Sequence, residues 1–280
     1  DIYVKGAKNM DLHDDDKPVG RILTRRELLK LLGGTGVALT IGGVWVQGQS
    51  GTLSPTPSPT PMLIPACVVR PELTGGPFFV DTDLDRSDIR IDPRDQSVRE
   101  GIPLKLIFRV SDMTGGACLP LGGAQVDIWH CDADGVYSGV ASEGTRDELW
   151  LRGYRVTDEG GIAEFITIYP GWYPGRAVHI HFKIRTSPQE TRGYEFTSQL
   201  FFSEDLTDVV HAQEPYAKNG YRNVLNERDG IFRQSGELLL LDVAEGIIEI
   251  PSDADAETTP EVITTLEGYV AVFDIGLDLS

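Results

Sequence analysis

The feature of this chain that most constrains its fold is a repeated alternation of apolar and polar residues with a period of two. In PLKLIFRV (103–110), apolar side chains occupy every second position from Leu104 to Val110. A strand points alternate side chains to opposite faces, so this pattern predicts a β-strand with one buried face. Similar segments are AQVDIWH (124–130), IAEFITI (162–168), VHIHFKI (178–184), SQLFFS (198–203), ELLLLDV (237–243) and GYVAVFDI (268–275).

Turn-forming sequences such as DADG, TDEGG and PGWYPG separate these segments. Helical patterns are confined to a few short stretches such as DLTDVVHAQEPYA (205–217), where we expect His211 to lie on the surface. We find no internal repeat. The sequence therefore predicts an all-β fold, an antiparallel β-sandwich or partly closed barrel with few short helices.

The N-terminal region has the layout of an export signal. Arg25 and Arg26 precede an uncharged run of sixteen residues, 31–46, which is shorter than the roughly twenty apolar residues of a membrane-spanning helix. The arginine pair followed by Leu-Leu-Lys resembles a twin-arginine signal; an amphipathic surface helix is the alternative. No small-x-small cleavage site follows, so the segment could persist as a membrane anchor. We expect residues 1–49 to direct export to a periplasmic, extracellular or membrane-anchored location.

A change of composition marks the start of the folded domain. SGTLSPTPSPTP (50–61) alternates proline with serine and threonine, a composition typical of extended spacers. We therefore expect residues 50–66 to be a linker and residues 67–280 to form a single domain.

Charge and cysteine content exclude several classes of function. The net charge of −18 repels phosphate backbones, so nucleic acid is not an expected partner. Cys67, Cys118 and Cys131 are too few for a disulfide scaffold and lack zinc-type spacing. In an exported protein one pair could close and leave the third thiol free, and the sequence does not say which.

Two histidines one residue apart suggest a metal site. Residues i and i+2 of a strand project from the same face with Cα atoms roughly 6.5–7 Å apart, so His179 and His181 point the same way. Both rings could then reach one ion at about 2 Å from a ring nitrogen. The alternative is a solvated polar face, because Lys183 and Arg185 continue the same side.

The surroundings of this pair resemble a known family. Tyr173 and Arg176 lie in the Gly- and Pro-rich turn that enters the strand, and Tyr137 follows the DADG turn. These residues and their segments resemble the intradiol ring-cleavage dioxygenases, the catechol and protocatechuate dioxygenases with non-haem iron(III). The resemblance covers roughly residues 67–280 and is carried by CVVRPELTGGPFFVD (67–81), VDIWHCDADGVYSG (126–139), RGYRVTDEGGIAEFITIYPGWYPGRAVHIHFKI (152–184), TSQLFFSED (197–205) and GYVAVFDIGLD (268–278).

The resemblance implies a set of iron ligands. Tyr169 competes with Tyr173 for one of the positions. Tyr173 fits better because it follows Pro-Gly and precedes Pro-x-Arg, whereas Tyr169 ends the strand predicted at 162–168. The four positions implied as Fe(III) ligands are Tyr137, Tyr173, His179 and His181.

This ligand set suits Fe(III). Two phenolates, two neutral imidazoles and a hydroxide balance the charge of the ion, which allows the site to be buried. Phenolate oxygens are hard donors that favour Fe(III), and the two-histidine, one-carboxylate set of Fe(II) enzymes is absent from this motif.

The resemblance also implies an activity. The substrates are a small aromatic diol and O2, and the product is a cis,cis-muconate. Tyr173 is implied as the ligand that leaves when the diol binds, Arg176 as the cation facing the substrate, and Gln199 as a residue behind that arginine. The alternative is an exported β-sandwich binding module with a degenerate or structural metal site. Either protein could be a monomer or a homodimer.

Two other groups of residues carry weaker hypotheses. His130 and Cys131 are adjacent in a predicted strand and point to opposite faces, which argues against a thiol nucleophile beside a base. The acidic runs at 81–95 and 253–257 are expected to be solvated loops, with a calcium site as the alternative.

Overall fold

The computed structural model describes residues 67–187, 193–250 and 264–280. The predicted export region (1–49), the predicted linker (50–66) and the acidic run at 253–257 lie outside these ranges. Within the described ranges, no helix has both the length and the apolar character needed to cross a membrane.

The described residues form mainly β-strands. The strands and the single α-helix of these ranges are β1 (Pro103–Asp112), β2 (Leu119–Pro120), β3 (Gln125–Trp129), β4 (Arg152–Val156), β5 (Ile162–Ile168), β6 (His179–Arg185), β7 (Glu195–Phe201), α1 (Glu204–His211), β8 (Asp242–Ile250) and β9 (Thr264–Leu277).

The strands make two sheets. The first has the order β2-β1-β9-β8, with β5 also paired to β1, and the second has the order β4-β3-β6-β7. All pairs are antiparallel except β1 with β9, which are parallel. The predicted β-sandwich is therefore confirmed, and neither sheet closes into a barrel.

Aromatic side chains join the two sheets. The ring of Phe182 on β6 lies 5.4 Å from the rings of both Phe108 on β1 and Phe273 on β9. All three side chains are buried, and each contributes about 1.5–3 kcal/mol by leaving water. The predicted alternation in β1 is observed, because its four alternate apolar residues, from Leu104 to Val110, have no solvent exposure.

A disulfide closes the N-terminal end of the described domain. Cys67 is bonded to Cys118, in the connection between β1 and β2, and Cys131 is a buried free thiol. This resolves the choice of pair that the sequence leaves open.

Three expectations differ from the structure. ELLLLDV does not begin as a strand: Gly236–Leu239 is a 3-10 helix, and β8 starts only at Asp242, where pairing with β9 becomes available. Strand β4 was not predicted, because RGYRV lacks an apolar alternation. His211 is buried rather than on the surface, with its ring stacked on Tyr216 at 5.1 Å and its Nε2 atom 3.0 Å from the carbonyl oxygen of Pro170.

Candidate metal centre

The histidine pair lies on the central strand β6 and is buried. His179 and His181 are 2% and 1% exposed, so the expectation of a solvated polar face is wrong for this part of the strand. Burial, together with the charge of Arg176, lowers the pKa of His179 to about 3. Burial and the neighbouring His179 and Arg176 also hold the pKa of His181 well below its usual range. Both rings are therefore neutral at pH 7, the form that binds metals.

The hydrogen bonds of His179 fix its tautomer. Its Nδ1 atom lies 2.7 Å from the carbonyl oxygen of Ala177, and a carbonyl only accepts, so Nδ1 carries the proton. Its Nε2 atom keeps a lone pair and lies 3.0 Å from Nε2 of His181 and 3.2 Å from Oη of Tyr173. Three donor atoms thus converge on one point.

A glycine turn leads from β3 to Tyr137, the fourth candidate ligand. After β3, Oδ1 of Asp132 accepts hydrogen bonds from the backbone N–H groups of Asp134 and Val136, both at 3.0 Å. At Gly135, where φ is +82°, a Cβ atom would lie 2.2 Å from the carbonyl oxygen of Trp172, so only glycine fits.

Tyr137 is buried beside the other candidate ligands. It is 1% exposed, and its ring lies 5.7 Å from the ring of Tyr173 and 6.2 Å from that of His181. Burial, and secondarily Tyr173, raises the pKa of Tyr137 well above its usual value. A bound metal cation reverses this preference and stabilises the phenolate.

The donor atoms fit a metal ion. Among the described residues the buried Oη atom of Tyr137 has no hydrogen-bond partner, a condition that normally costs about 1–3 kcal/mol and calls for a partner such as an ion. The 3.0 Å between the Nε2 atoms of His179 and His181 matches two ligands about 2.1 Å from one ion and roughly at right angles. The described ranges contain no group of three or more His, Cys, Asp or Glu residues arranged to hold a metal, so phenols would complete the ligand set.

Tyr169 lies elsewhere in the molecule. It has no solvent exposure, its Oη atom lies 2.7 Å from Oγ1 of Thr207, and its ring packs on Phe202. Of the two competing tyrosines, Tyr173 is the one beside His179. The assignment of the four ligands remains a prediction that this placement supports.

Arg176 and Gln199 are in contact next to the histidines. Nη2 of Arg176 donates to Oε1 of Gln199 at 2.5 Å, and Nε2 of Gln199 donates to the carbonyl oxygen of Thr74 at 2.7 Å. Nε of Arg176 donates to Oδ2 of Asp229 at 2.9 Å. Burial lowers the pKa of Arg176, but Tyr173 and Asp229 offset that effect and raise it overall. Asp229 was missed by the sequence analysis, because it lies 53 residues after Arg176 in an irregular segment and belongs to no recognised motif.

The segment that opens the domain covers the histidines. A Cβ atom at Gly76, where φ is +64°, would lie 3.1 Å from Cε1 of His181. The ring of Phe78 lies 4.7 Å from that of Tyr137, and the ring of Phe79 lies 4.9 Å from that of Trp129. This segment therefore supplies an aromatic wall beside the candidate ligands.

The weaker hypotheses find no support in the described residues. His130 Nδ1 donates to the carbonyl oxygen of Cys131 at 2.8 Å, and its Nε2 accepts from the Thr167 hydroxyl at 2.7 Å. Burial, and secondarily Asp132, raises the pKa of the Cys131 thiol far above its usual value, so it is not a thiolate nucleophile. In the acidic run at 81–95, carboxylates pair with arginines rather than forming a cation site; these pairs are Asp88–Arg90, Asp92–Arg94, Asp85–Arg155 and Asp81–Arg185.

Comparison with known sequences places the chain in a family. A family profile described as Dioxygenase matches residues 74–229, more than half of the chain. Catechol 1,2-dioxygenase of Candida albicans is 28% identical over 167 residues, which are 51% of this chain and 48% of that protein. Chlorocatechol 1,2-dioxygenase of Pseudomonas putida is 32% identical over 101 residues, 29% of this chain and 36% of that protein. The chain thus spans about half or less of the length of these curated relatives.

Solved structures share the fold. An intradiol ring-cleavage dioxygenase from Tetranychus urticae is 29% identical with a TM-score of 0.56, and the match covers 76% of this chain and 94% of that one. Hydroxyquinol 1,2-dioxygenase from Pseudomonas putida DLL-E4 has the same fold at 20% identity and a TM-score of 0.50, over 76% of this chain and 68% of that one. Because the profile matches more than half of the chain and the structure match covers 76% of it, the chain belongs to the intradiol ring-cleavage dioxygenase family.

Proposed function

We propose that this protein is an iron(III)-dependent dioxygenase that cleaves catechol-type aromatic diols with O2 to cis,cis-muconate-type products. The observation that carries the proposal is the convergence of two neutral imidazoles and a phenol within 3.2 Å, with a second buried phenol beside them. The names of the relatives, which include catechol and chlorocatechol 1,2-dioxygenases, support the reaction class.

The residues that would hold the ion are Tyr137, Tyr173, His179 and His181. When bound there, Fe(III) would supply a Lewis acid for both oxygens of the diol and would draw electron density from its ring.

The two tyrosines have different surroundings and would have different roles. Tyr137 is fully buried in a cluster with Trp129 and Cys131, whereas Tyr173 is half-buried in a turn beside the exposed Pro174. Tyr173 therefore has room to move away when substrate arrives, and its Oη atom can take up a proton from the diol as a general base. Tyr137 would keep its position throughout.

Arg176 would stabilise negative charge on the substrate ring. Hydrogen bonds to Asp229 and Gln199 hold its guanidinium next to the histidines. A fixed cation in a site with little water stabilises a developing anion without reorganising. The rings of Phe78, Phe79 and Trp129 would help to exclude that water.

We also propose that the protein works outside the cytoplasm. The disulfide between Cys67 and Cys118 favours an oxidising compartment. The twin-arginine-like segment in residues 1–49 is the proposed export signal.

The test is to express the full chain in iron-replete medium and measure iron per chain, the visible spectrum, and O2 uptake with catechol. The expected result is a red to brown protein, because phenolate-to-Fe(III) charge transfer absorbs visible light, that consumes one O2 per catechol. A colourless protein without iron would contradict the proposal and would favour the alternative of a binding module.

A further inference from the structure

A buried carboxylate, Asp229, lies behind the candidate site and has no solvent exposure. It sits between two short 3-10 helices, Asn226–Arg228 and Phe232–Gln234. Its Oδ1 atom accepts hydrogen bonds from the backbone N–H groups of Ile231 at 2.7 Å and Phe232 at 3.0 Å. One carboxylate oxygen is therefore committed to the local turn.

The other oxygen faces the site. Oδ2 of Asp229 accepts from Nε of Arg176 at 2.9 Å and from the backbone N–H of Ala177 at 2.7 Å. Both oxygens thus accept from two donors each. An asparagine could not replace the carboxylate, because its NH2 group would face two hydrogen-bond donors in either orientation of the amide.

Ala177 continues the connection to the histidine through its two flanking peptide groups. Its N–H donates to Asp229, and its carbonyl oxygen accepts from Nδ1 of His179 at 2.7 Å. Metal-binding histidines commonly donate their second N–H to a carboxylate or carbonyl, which sets the tautomer. Here the carbonyl belongs to a residue whose own N–H, in the preceding peptide group, donates to a buried carboxylate.

The same oxygen orients the guanidinium. Arg176 is fixed on one edge by Asp229 through Nε and on another by Gln199 through Nη2. Its side chain is only 10% exposed, so the carboxylate also balances a buried charge.

We infer that Asp229 is a positioning residue that fixes the substrate-facing guanidinium of Arg176 and, through the backbone of Ala177, the metal-binding tautomer of His179. This inference rests on the function proposed above. It makes one carboxylate responsible for two separate properties, substrate turnover and iron retention, which can be measured independently in the iron-loaded enzyme.

The first experiment is Asp229→Asn, measured for iron per chain, visible spectrum, kcat and KM with catechol. Losing a residue that orients a metal ligand typically costs 10–100-fold in metal affinity or activity. We expect kcat per bound iron to fall by about 10–100-fold, with the iron content also reduced. The matched control is Asp127→Asn, which breaks another buried aspartate–arginine pair, with Arg185, at 2.7 Å. It should leave kcat per bound iron unchanged.

The second experiment separates the two effects with a double-mutant cycle. In the background of Arg176→Ala, Asp229→Asn should lower kcat per iron far less than it does in the wild type, because the residue it orients is gone. It should still reduce iron retention, because Arg176→Ala leaves in place the hydrogen bond from the Ala177 N–H to Asp229 that Asp229→Asn then disturbs. If Asp229 had a merely structural role, Asp229→Asn would lower kcat per iron and iron retention by the same factors with and without Arg176. That result would overturn the inference.

A third variant covers the case in which Asp229→Asn does not fold. Arg176→Lys keeps the positive charge, but its single ammonium cannot both bind Asp229 and present a fixed group to substrate. We expect its kcat to be nearly as low as that of Arg176→Ala. Wild-type turnover in Arg176→Lys would show that anchoring by Asp229 is unnecessary.

A wild type without iron or turnover would instead overturn the proposed function, and the inference with it.

Discussion

At the scale of single residues, the four candidate ligands differ in how firmly their surroundings hold them. His181 is held by packing, because its ring is stacked on Trp129 at 5.1 Å with 3° between the planes, while its Nδ1 atom has no hydrogen-bond partner among the described residues. His179 is held by a hydrogen bond to a peptide. Tyr137 is enclosed and Tyr173 is half-exposed, so substitutions at these four positions should have unequal effects.

The two tyrosines provide the clearest comparison. Tyr137→Phe should lose both iron and turnover, because it removes a buried ligand that nothing else can replace. Tyr173→Phe should retain more iron, because substrate oxygens can occupy the vacated position, but it should slow deprotonation of the diol. Iron per chain and visible spectra, with and without anaerobic catechol, distinguish the variants. Equal iron loss in both would contradict the assigned asymmetry.

Gly76 tests the packing on His181. Gly76→Ala forces a non-glycine residue into the left-handed region at a cost of about 1–2 kcal/mol, and it places a methyl group 3.1 Å from the imidazole ring. We expect a folded protein that binds iron several-fold more weakly. Gly123→Ala is the control, because Gly123 has φ of +82° but nothing within 4 Å of its Cβ position. If both variants held iron equally well, the contact would have no role in orienting His181.

At the scale of elements, one row of residues across three strands builds the site. The register of the second sheet places Trp129 of β3 opposite His181 of β6, and His181 opposite Gln199 of β7. The Trp129 ring stacks on the imidazole, and Gln199 binds Arg176. The central strand therefore receives a packing partner from one side and a hydrogen-bonding partner from the other.

The edge strand β4 ties two covering segments together through Arg152. This side chain is 2% exposed and donates to the carbonyl oxygens of Ser138, at 2.9 Å from Nε, and of Phe78, at 2.5 Å from Nη1. Burial lowers the pKa of Arg152 to about 10, partly offset by Tyr137 and Glu143, so it is still charged at pH 7. It connects the opening segment of the domain to the segment that carries Tyr137.

Removing this connection should destabilise the domain. Arg152→Leu removes the donor to a buried carbonyl group, that of Ser138, and to a part-buried one, that of Phe78. An unpaired buried group costs about 1–3 kcal/mol, so we expect the free energy of unfolding in urea to fall by roughly 2–5 kcal/mol. Arg155→Leu on the same strand is the control, because Arg155 is 39% exposed and pairs with a surface aspartate. Such a pair contributes about 1 kcal/mol or less. Similar losses in the two variants would contradict a special role for Arg152.

The strands that the sequence predicts are those in which apolar residues recur at every second position: β1, β3, β5, β6, β7 and β9. Burial follows that alternation in β1, but in β3 and β6 polar residues such as Asp127 and His181 are buried as well. β4 was not predicted, because burial of Arg152 depends on carbonyl groups distant in sequence, and the run of leucines at 238–241 indicated a strand where a 3-10 helix forms. At the site, the sequence motif predicted Tyr137, Tyr173 and the two histidines as candidate ligands. The contact of Asp229 with Arg176 joins residues that are 53 positions apart, and it forms only through the tertiary fold. No short sequence motif includes both residues.

At the scale of the whole molecule, buried neutral histidines make stability depend on pH. Burial, partly offset by a hydrogen bond with Cys131, lowers the pKa of His130 from 6.5 to about 4. The unfolded chain takes up a proton near pH 6.5, and the folded protein does so only near pH 4. The contribution of His130 is therefore complete above pH 6.5 and is lost as the pH falls to 4, up to about 3 kcal/mol.

This dependence can be measured by urea unfolding at pH 7.5 and pH 4.5. His130→Gln should lower stability at pH 7.5, because the contact with Thr167 is lost, but it should lose less additional stability at pH 4.5 than the wild type does. The comparison of the two pH values within each protein removes the constant cost of the substitution. An identical pH dependence in wild type and variant would show that His130 does not titrate in this range.

The disulfide between Cys67 and Cys118 has a mechanical consequence. Any tension transmitted along the chain from residues before 67 reaches Cys67 first and passes through the covalent bond into the connection between β1 and β2. The backbone next to Cys67 is also tied to β9, where the N–H of Gly276 donates to the carbonyl oxygen of Val68 at 2.8 Å. The glycine at position 76 and the two phenylalanines after it lie beyond both attachments and carry none of this load. We therefore expect a force applied to the chain before residue 67 to leave the wall of the candidate site undeformed.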